Sequence, residues 1–373
     1  MKFVRRPLAA HFMGSEKKRV TYADYLHLHD LIKLQDGGAS TNREISSDEH
    51  HFIIVHQTFE LWFCRIINEL REIRDLLGQD SVPEEDIPRM VHKLGRVTEI
   101  FRLLQNQWTV MEKLTPQGFL DFRDELGTAS GFESFQLREL EILLGIDYTE
   151  RPGGMNPLEH FARLSEESDS SKDAYNRLKK ASEETTLRHE LRRWLSRTPI
   201  HGSSPDNPDD SEIVLGFVEE HLKTMSSINE SAIDHFVKIG QKDVEKIRKR
   251  FDASLESARE FLLPDGNVDR ARAGLLFIES YRELPLLAWP RALVDSVVDL
   301  EQSMLLFRTH HARMVEKMIG RRVGTGGSSG VDYLDATTKM RVFTDLWAVR
   351  TILIKRSELP QLGNTESYGF SNM

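Results

Sequence analysis

The sequence predicts an all-α fold, and three observations support this prediction. Apolar residues recur at spacings of three and four along most of the chain, which is the pattern of amphipathic helices. No segment shows the apolar–polar alternation or the turn signals that predict strands and hairpins. Capping serines and threonines, first-turn prolines and closing glycines separate the periodic segments. We therefore expect a helical bundle without internal repeats.

Five helices are predicted in the first part of the chain. They cover 22–35, 48–77, 83–114, 116–126 and 130–144. Ser46 or Ser47 can cap the second helix, whose first turn contains acidic residues. Thr115 and Pro116 supply a cap and a first-turn proline for the fourth. Gly145 closes the fifth.

The middle of the chain, about residues 146–290, is more charged and more often interrupted. Turn-rich breaks at 168–172 and 201–210 separate its charged helical segments. Helices are predicted over 172–197, 212–230 and 231–262 within this region, and over 290–319 and 341–354 after it. We interpret the region as a helical excursion packed on the core, with a mobile loop at 201–210.

Composition and charge argue against several classes of protein. The net charge of −9 gives no general attraction for nucleic acid or anionic lipid. Because Cys64 is the single cysteine, no intrachain disulfide or cysteine-based zinc site can form, which suits a reducing cytosol. No apolar stretch reaches membrane-spanning length, and none follows the N-terminal basic residues. We expect a cytoplasmic protein without nucleic-acid or membrane partners.

A histidine lies within a broad aromatic stripe at residues 52–63. At 3.6 residues per turn, His56 shares one helix face with several apolar residues. These are Phe52, Val55, Phe59, Trp62 and Phe63. Burying an imidazole costs free energy unless it is hydrogen-bonded. Two interpretations stay open: a core histidine bonded to a backbone carbonyl, or a pocket wall at which His56 contacts an apolar ligand.

A second histidine, His311, begins an apolar face near the end of the predicted 290–319 helix. The other residues of this face are Met314, Val315, Met318 and Ile319. Without cysteine or carboxylate-rich neighbours, such an imidazole suits an axial haem ligand better than a zinc ligand. No Cys-x-x-Cys-His motif is present, so any haem is non-covalent. A hydrogen-bonded core histidine is the alternative interpretation.

Residues 324–330 form a glycine-rich segment that lacks the features of a nucleotide-binding loop. It has no Gly-Lys-Ser/Thr ending, and it follows a helix instead of a strand. Its backbone N–H groups and the Thr325 hydroxyl can fold over a small polar group. An ordinary surface loop has the same composition.

Arg123 is predicted to lie one helical turn after Phe119. Its guanidinium can hold a carboxylate through two parallel hydrogen bonds. The alternative is a surface ion pair with a neighbouring acidic residue. The candidates are Asp121, Asp124 and Glu125.

In their order along the chain, these segments resemble the tryptophan 2,3-dioxygenase family of cytosolic haem enzymes. The matching motifs are Tyr-Ala-Asp-Tyr-Leu at 22–26, the run at 48–63, Asp-Phe-Arg at 121–123, Ala-Ser-Gly-Phe at 129–132, His-x-x-Met-Val at 311–315 and Gly-Thr-Gly-Gly-Ser-Ser-Gly at 324–330. The resemblance runs from about residue 20 to residue 355. It is loose over 146–290, where the segment 194–199 matches best.

The resemblance implies haem b as a non-covalent cofactor and dioxygen as co-substrate. It makes His311 the axial iron ligand and His56 the distal histidine that receives the indole N–H of the substrate. Arg123 is implied to hold the carboxylate of L-tryptophan, Thr325 to contact its ammonium or carboxylate group, and Ser130 to lie at the haem edge. The residues implied to enclose the indole are Phe52 and Phe119.

The resemblance also implies an assembly. Tyr22 and Tyr25 match an N-terminal helix that, in the family, reaches into the site of a neighbouring subunit, so a homotetramer is expected. We predict an N-terminal arm, residues 1–40, followed by one all-α catalytic domain, residues 41–373, that includes the excursion.

The implied reaction inserts both oxygen atoms across the indole C2–C3 bond and gives N-formyl-L-kynurenine, as in the kynurenine pathway of tryptophan catabolism. The sequence departs from the family pattern at Glu133, Leu137 and Cys64, none of which is an implied contact. Two other functions stay open. One is a haem monooxygenase of the same family acting on a modified tryptophan or another indole, and the other is a non-catalytic haem-binding sensor. A bare helical scaffold ranks third.

Overall fold

The computed structural model describes residues 20–37, 44–127, 130–322, 330–362 and 368–369. Within these ranges the chain forms α-helices joined by short 3-10 turns, and its only β structure is an isolated bridge between Ile200 and Ser203. The predicted all-α fold is confirmed. None of the described helices is long and apolar enough to cross a membrane. The chain divides into two units, Met1–Ile54 and Val55–Met373.

The first unit contains two short helices, α1 (Tyr22–Tyr25) and α2 (Leu28–Leu31). The single helix predicted over 22–35 is wrong, because His27 adopts a left-handed conformation with φ of 50°. A residue in that conformation interrupts the hydrogen-bond ladder of a right-handed helix. A third helix, α3, begins at Ser47 in this unit. The preceding residue, Ser46, caps it by accepting a hydrogen bond from the Glu49 N–H.

In the second unit α3 continues to Leu77. The helices that follow are α4 (Asp86–Met111), α5 (Pro116–Arg123), α6 (Phe135–Leu144), α7 (Pro157–Leu164), α8 (Asp169–Glu183), α9 (Leu187–Leu195), α10 (Asp210–Lys238), α11 (Val244–Leu262), α12 (Arg270–Ser280), α13 (Ala288–Ile319), α14 (Gly330–Thr337) and α15 (Thr344–Thr351). The long helices α3, α4 and α13 begin and end within three residues of their predicted bounds. Their strong apolar periodicity explains this agreement.

An aromatic cluster joins α3, α4 and α13 in the core of the second unit. The ring of Phe59 lies 4.2 Å from that of Trp108, and Phe307 lies 5.5 Å from Trp108 and 5.8 Å from Phe101. Full burial of one such side chain stabilises the fold by about 1.5–3 kcal/mol. The cluster therefore fixes the faces that α4 and α13 turn towards each other.

Two arginines bind the excursion to the C-terminal end of α3. Arg193 of α9 donates to the carbonyl oxygen of Gly78 at 2.7 Å. Arg197, in the turn after α9, donates to the carbonyl oxygen of Leu77 at 3.0 Å. Carbonyl groups at a helix C-terminus lack intrahelical partners and attract cations. The excursion thus packs on the core, as the sequence predicts.

Inside the excursion the structure differs from the prediction in several helices. The helix predicted over 172–197 is divided into α8 and α9, because Glu184 and Thr186 are extended and Thr186 caps α9. The helices α7 and α12 are absent from the sequence-based prediction. α10 runs without a break to Lys238, whereas the sequence predicts two helices that meet at 230–231.

The segment 201–210 forms hydrogen-bonded turns, in which the Ser203 hydroxyl donates to Asp210 at 2.8 Å and the Arg270 guanidinium binds the same carboxylate at 2.9 Å. The mobility of this segment stays a prediction.

Near the C-terminus the helix predicted over 341–354 is shorter. The backbone N–H groups of Val342 and Phe343 donate to the buried carboxylate of Glu301 on α13, so the chain is not helical there and α15 begins at Thr344. The helix α14 is absent from the sequence-based prediction.

Candidate active site

His311 lies on the face of α13 that also carries the buried side chains of Met314 and Met318. Its ring stacks on Trp108 of α4, with the centroids 4.4 Å apart and 2° between the planes. Phe307, one turn earlier on α13, lies 6.4 Å from the same ring. Because side chains in a close-packed core have little room to rotate, this stack fixes the plane of the imidazole.

The nitrogen atoms of His311 are available to a ligand. Protein atoms surround the side chain deeply, yet part of its surface stays accessible. Burial, with smaller contributions from the charges of His56 and Arg138, lowers the pKa of His311 to about 3, so the ring is neutral at physiological pH. Within the described part of the chain, no group hydrogen-bonds to either ring nitrogen.

The neighbouring His310 has a different environment. It is exposed, and its Nδ1 lies 3.5 Å from the carbonyl oxygen of Gln105. One residue along a helix turns the side chain by about 100°. The structure therefore separates the two histidines as their helical phase predicts.

His56 lies on α3 and reaches His311 through a series of aromatic contacts. Its ring is 6.3 Å from Phe59, which packs on Trp108, which in turn stacks on His311. The charge of a protonated His56 contributes to the low pKa of His311. Two histidines that are 255 residues apart in the sequence are thus connected through the same aromatic cluster.

Phe119 and Arg123 lie on α5, which packs against α13. The helix starts as predicted, with Thr115 accepting a hydrogen bond from the Gly118 N–H and Pro116 in the first turn. Phe119 is buried and makes an edge contact with Phe122 at 5.4 Å. Arg123 is partly exposed at the C-terminal end of α5. The helix ends there, before the predicted end at residue 126, and a 3-10 turn follows.

Ser130 caps a 3-10 turn, Gly131–Glu133, by accepting a hydrogen bond from the Phe132 N–H at 3.3 Å. This turn precedes α6, so the helix predicted from residue 130 begins only at Phe135. The guanidinium of Arg138 lies 5.0 Å over the Phe132 ring, and the charge of Arg138 acts on His311.

The remaining predicted site residues are placed elsewhere or are not described. Phe52 precedes His56 by one turn of α3 and belongs to the first unit. Tyr22 and Tyr25 are each 76% exposed in that unit. Thr325 lies outside the described residues.

Sequence reasoning missed the stacking partner of His311. Trp108 follows the apolar periodicity of α4, and nothing in the sequence distinguishes it from an ordinary core residue. It also missed a group of buried charges beside the site, formed by Glu141 and three arginines. Spacing suggests the Arg138–Glu141 pair, but the contact with Arg308 joins residues 167 apart.

The side chains around His311 fit a haem group. A non-covalent haem needs one neutral imidazole whose nitrogen is unoccupied, held in a largely apolar environment, and His311 meets these conditions. Among the described residues, no three His, Cys, Asp or Glu side chains lie together as a metal-binding group. The fold and site define an all-α protein in which His311 offers a neutral imidazole, stacked on Trp108, as a ligand.

Comparison with known proteins identifies the family. The family model for tryptophan 2,3-dioxygenase matches residues 9–353. A tryptophan 2,3-dioxygenase of Sorangium cellulosum is 42% identical over 369 residues, covering 95% of this chain and 88% of the relative. Tryptophan 2,3-dioxygenase 2 of Ralstonia nicotianae is 43% identical over 373 residues, covering 95% and 98%. Tryptophan 2,3-dioxygenase B of Danio rerio is 34% identical over 355 residues, covering 93% and 85%. The chain belongs to the tryptophan 2,3-dioxygenase family, which confirms the resemblance and the enzyme class, a dioxygenase.

Proposed function

We propose that this protein is a haem-dependent tryptophan 2,3-dioxygenase that cleaves the indole C2–C3 bond of L-tryptophan to give N-formyl-L-kynurenine. The observation that supports this most strongly is the neutral imidazole of His311, which is stacked on Trp108 and lacks a hydrogen bond from any described residue. Haem iron, when bound, supplies the activation of dioxygen that amino-acid side chains do not provide. The haem is b-type and non-covalent, and the enzyme is cytoplasmic.

The side chains of this chain orient the substrate and fix its position. His311 would hold the iron of a bound haem, and Trp108 keeps the plane of its imidazole constant. His56 receives the indole N–H, and Phe119 packs against the indole ring. An oriented substrate reacts faster because the entropy of alignment is lost on binding and not in the transition state.

Charged and polar side chains bind the ammonium and carboxylate end of the substrate. Arg123 pairs with the substrate carboxylate through two hydrogen bonds, and Thr325 contacts the ammonium or carboxylate group. Ser130 would lie near the haem, as the family resemblance implies. These contacts fix one end of the substrate and so set the distance at which the indole lies from the iron.

Isotope labelling tests the reaction. The purified protein, loaded with haem and reduced, is given tryptophan under ¹⁸O₂, and the product mass is measured. A dioxygenase gives N-formylkynurenine with two labelled atoms, whereas a monooxygenase of the same family incorporates one. A haem sensor shows a Soret band without consuming tryptophan, and a scaffold shows no Soret band. Incorporation of a single labelled atom, or either of the last two results, contradicts the proposal.

We also propose that the active protein is a homotetramer in which the N-terminal arm of one subunit completes the site of another. Tyr22 and Tyr25 lie in α1, a helix of four residues that is too short to be stable alone, and their large side chains are exposed. Exposed aromatic side chains on such a segment are typical of an interaction site.

Co-expression of two inactive variants tests the shared site. One variant lacks residues 1–35, and the other carries Arg123→Ala. Each alone is expected to be nearly inactive, and the mixed oligomer is expected to regain activity at sites that combine an intact arm with an intact Arg123. Light scattering reports the oligomer size, and circular dichroism shows whether each variant is folded. Two folded variants that stay inactive together would refute the sharing of sites between subunits.

A further inference from the structure

A buried cluster of four charged side chains lies beside the candidate haem site. The carboxylate of Glu141 on α6 contacts Arg138 at 3.1 Å and Arg308 of α13 at 3.3 Å, and Arg151 donates to the same carboxylate. All four residues are at least nine-tenths buried. We refer to these residues, Arg138, Glu141, Arg151 and Arg308, as the arginine cluster.

The arginine cluster holds more positive than negative charge. Three guanidinium groups face one carboxylate, which leaves an excess of two positive charges. Although burial opposes ionisation, the three arginines lower the pKa of Glu141 to about 2, so it is ionised. Nε of Arg138 and Nε and Nη2 of Arg151 are buried and receive no hydrogen-bond partner from the described residues. The carboxylate therefore does not neutralise the cluster.

Two members of the cluster lie close to His311. Arg308 precedes His311 by three residues on α13, so the two side chains share a sector of the helix. Arg138 binds the same Glu141 carboxylate as Arg308, so it lies one ion-pair contact away from that sector. Charges in a protein interior interact more strongly than in water because the local dielectric constant is lower. The excess charge is thus felt at the position of the iron ligand.

We infer that the arginine cluster raises the reduction potential of the iron that His311 holds. This inference rests on the proposed function. Reduction of ferric to ferrous iron removes one positive charge from the site, so nearby positive charge favours the reduced state. Ferrous iron is the state that binds dioxygen. In this role the arginines and Glu141 tune the iron through its surroundings and do not contact the substrate.

Redox titration of the holoenzyme, followed by its Soret band, tests the inference with three variants. Glu141→Gln raises the excess charge from two to three, so the ferrous-to-ferric ratio at a fixed applied potential is expected to rise roughly tenfold, which is about 59 mV for one electron. Arg138→Gln lowers the excess to one, and the ratio is expected to fall by a similar factor. Arg138→Lys keeps the charge and is expected to stay near the parent value.

Glu139→Gln is the matched control. Glu139 lies on the same helix, is equally buried, and is bound by the arginines Arg71 and Arg177 instead of the cluster. Like Glu141→Gln, this variant loses one negative charge by replacement of a carboxylate with an amide. The reduction potential of its iron is expected to stay close to that of the parent protein.

The variants change the excess charge of the arginine cluster in opposite directions, so the redox titration decides the inference even if one variant does not fold. Removing Glu141 leaves three buried cations unpaired, which is strongly destabilising, so the Arg138 pair decides the outcome if Glu141→Gln does not fold. Potentials that are equal in Arg138→Gln and Arg138→Lys, or shifts that are equal in Glu141→Gln and Glu139→Gln, would overturn the inference. Absence of a Soret band from the parent protein would instead refute the proposed function itself.

Discussion

Replacing His311 with alanine is expected to give a folded protein that retains little haem. His311 is the proposed iron ligand, and a non-covalent haem has no thioether link to hold it. The helical content is expected to stay high, because the side chain is only partly buried and α13 keeps its other contacts. The ratio of Soret absorbance to protein absorbance after gel filtration measures the effect.

His310→Ala is the matched control for this experiment. His310 is exposed and one residue away on the same helix, so its loss is expected to leave haem content unchanged. Free imidazole is expected to enter the space left in His311→Ala and restore part of the Soret band, because the Trp108 face against which the ring stacked is still present. Equal haem content in the two alanine variants would contradict the assignment of His311.

The long helices could be predicted from the sequence because their apolar stripes are strong. α3, α4 and α13 each bury one continuous face, and burial of that face gives most of the stability of a helix in a protein. Helix ends and short helices depended on single interactions instead. The left-handed His27 divides α1 from α2, and the Glu301 carboxylate delays the start of α15. Neither interaction follows from local sequence preference.

In the candidate site, too, features within one helix could be predicted from the sequence, whereas contacts between helices could not. Phase along one helix was enough to choose His311 over His310, because both lie on α13. The stack of His311 on Trp108 depends on how α13 pairs with α4, and the Glu141–Arg308 contact depends on how α13 pairs with α6. Pairing between distant helices is set by tertiary packing, so periodicity alone could not reveal these contacts.

Replacing Arg123 with alanine is expected to weaken turnover of tryptophan and to leave haem content unchanged. Arg123 lies at the end of α5, outside the ring contacts that hold His311, so its loss does not disturb the iron ligand. A desolvated charge pair with the substrate carboxylate is worth about 2–5 kcal/mol on truncation of one partner. Because each 1.4 kcal/mol is about tenfold, kcat/KM for tryptophan is expected to fall by roughly 30- to 5,000-fold.

Turnover of tryptamine shows whether Arg123 binds the substrate carboxylate or only supports the structure of the protein. It keeps the indole and the ammonium group of tryptophan and lacks the carboxylate, so Arg123→Ala is expected to reduce its turnover far less. Arg102→Ala removes an exposed arginine whose pair with Glu99 lies on the surface of α4. Such pairs contribute little, and both substrates are expected to be unaffected. If Arg123→Ala lowered turnover of tryptophan and tryptamine by the same factor, the arginine would support the structure of α5 and the carboxylate would be held by another group.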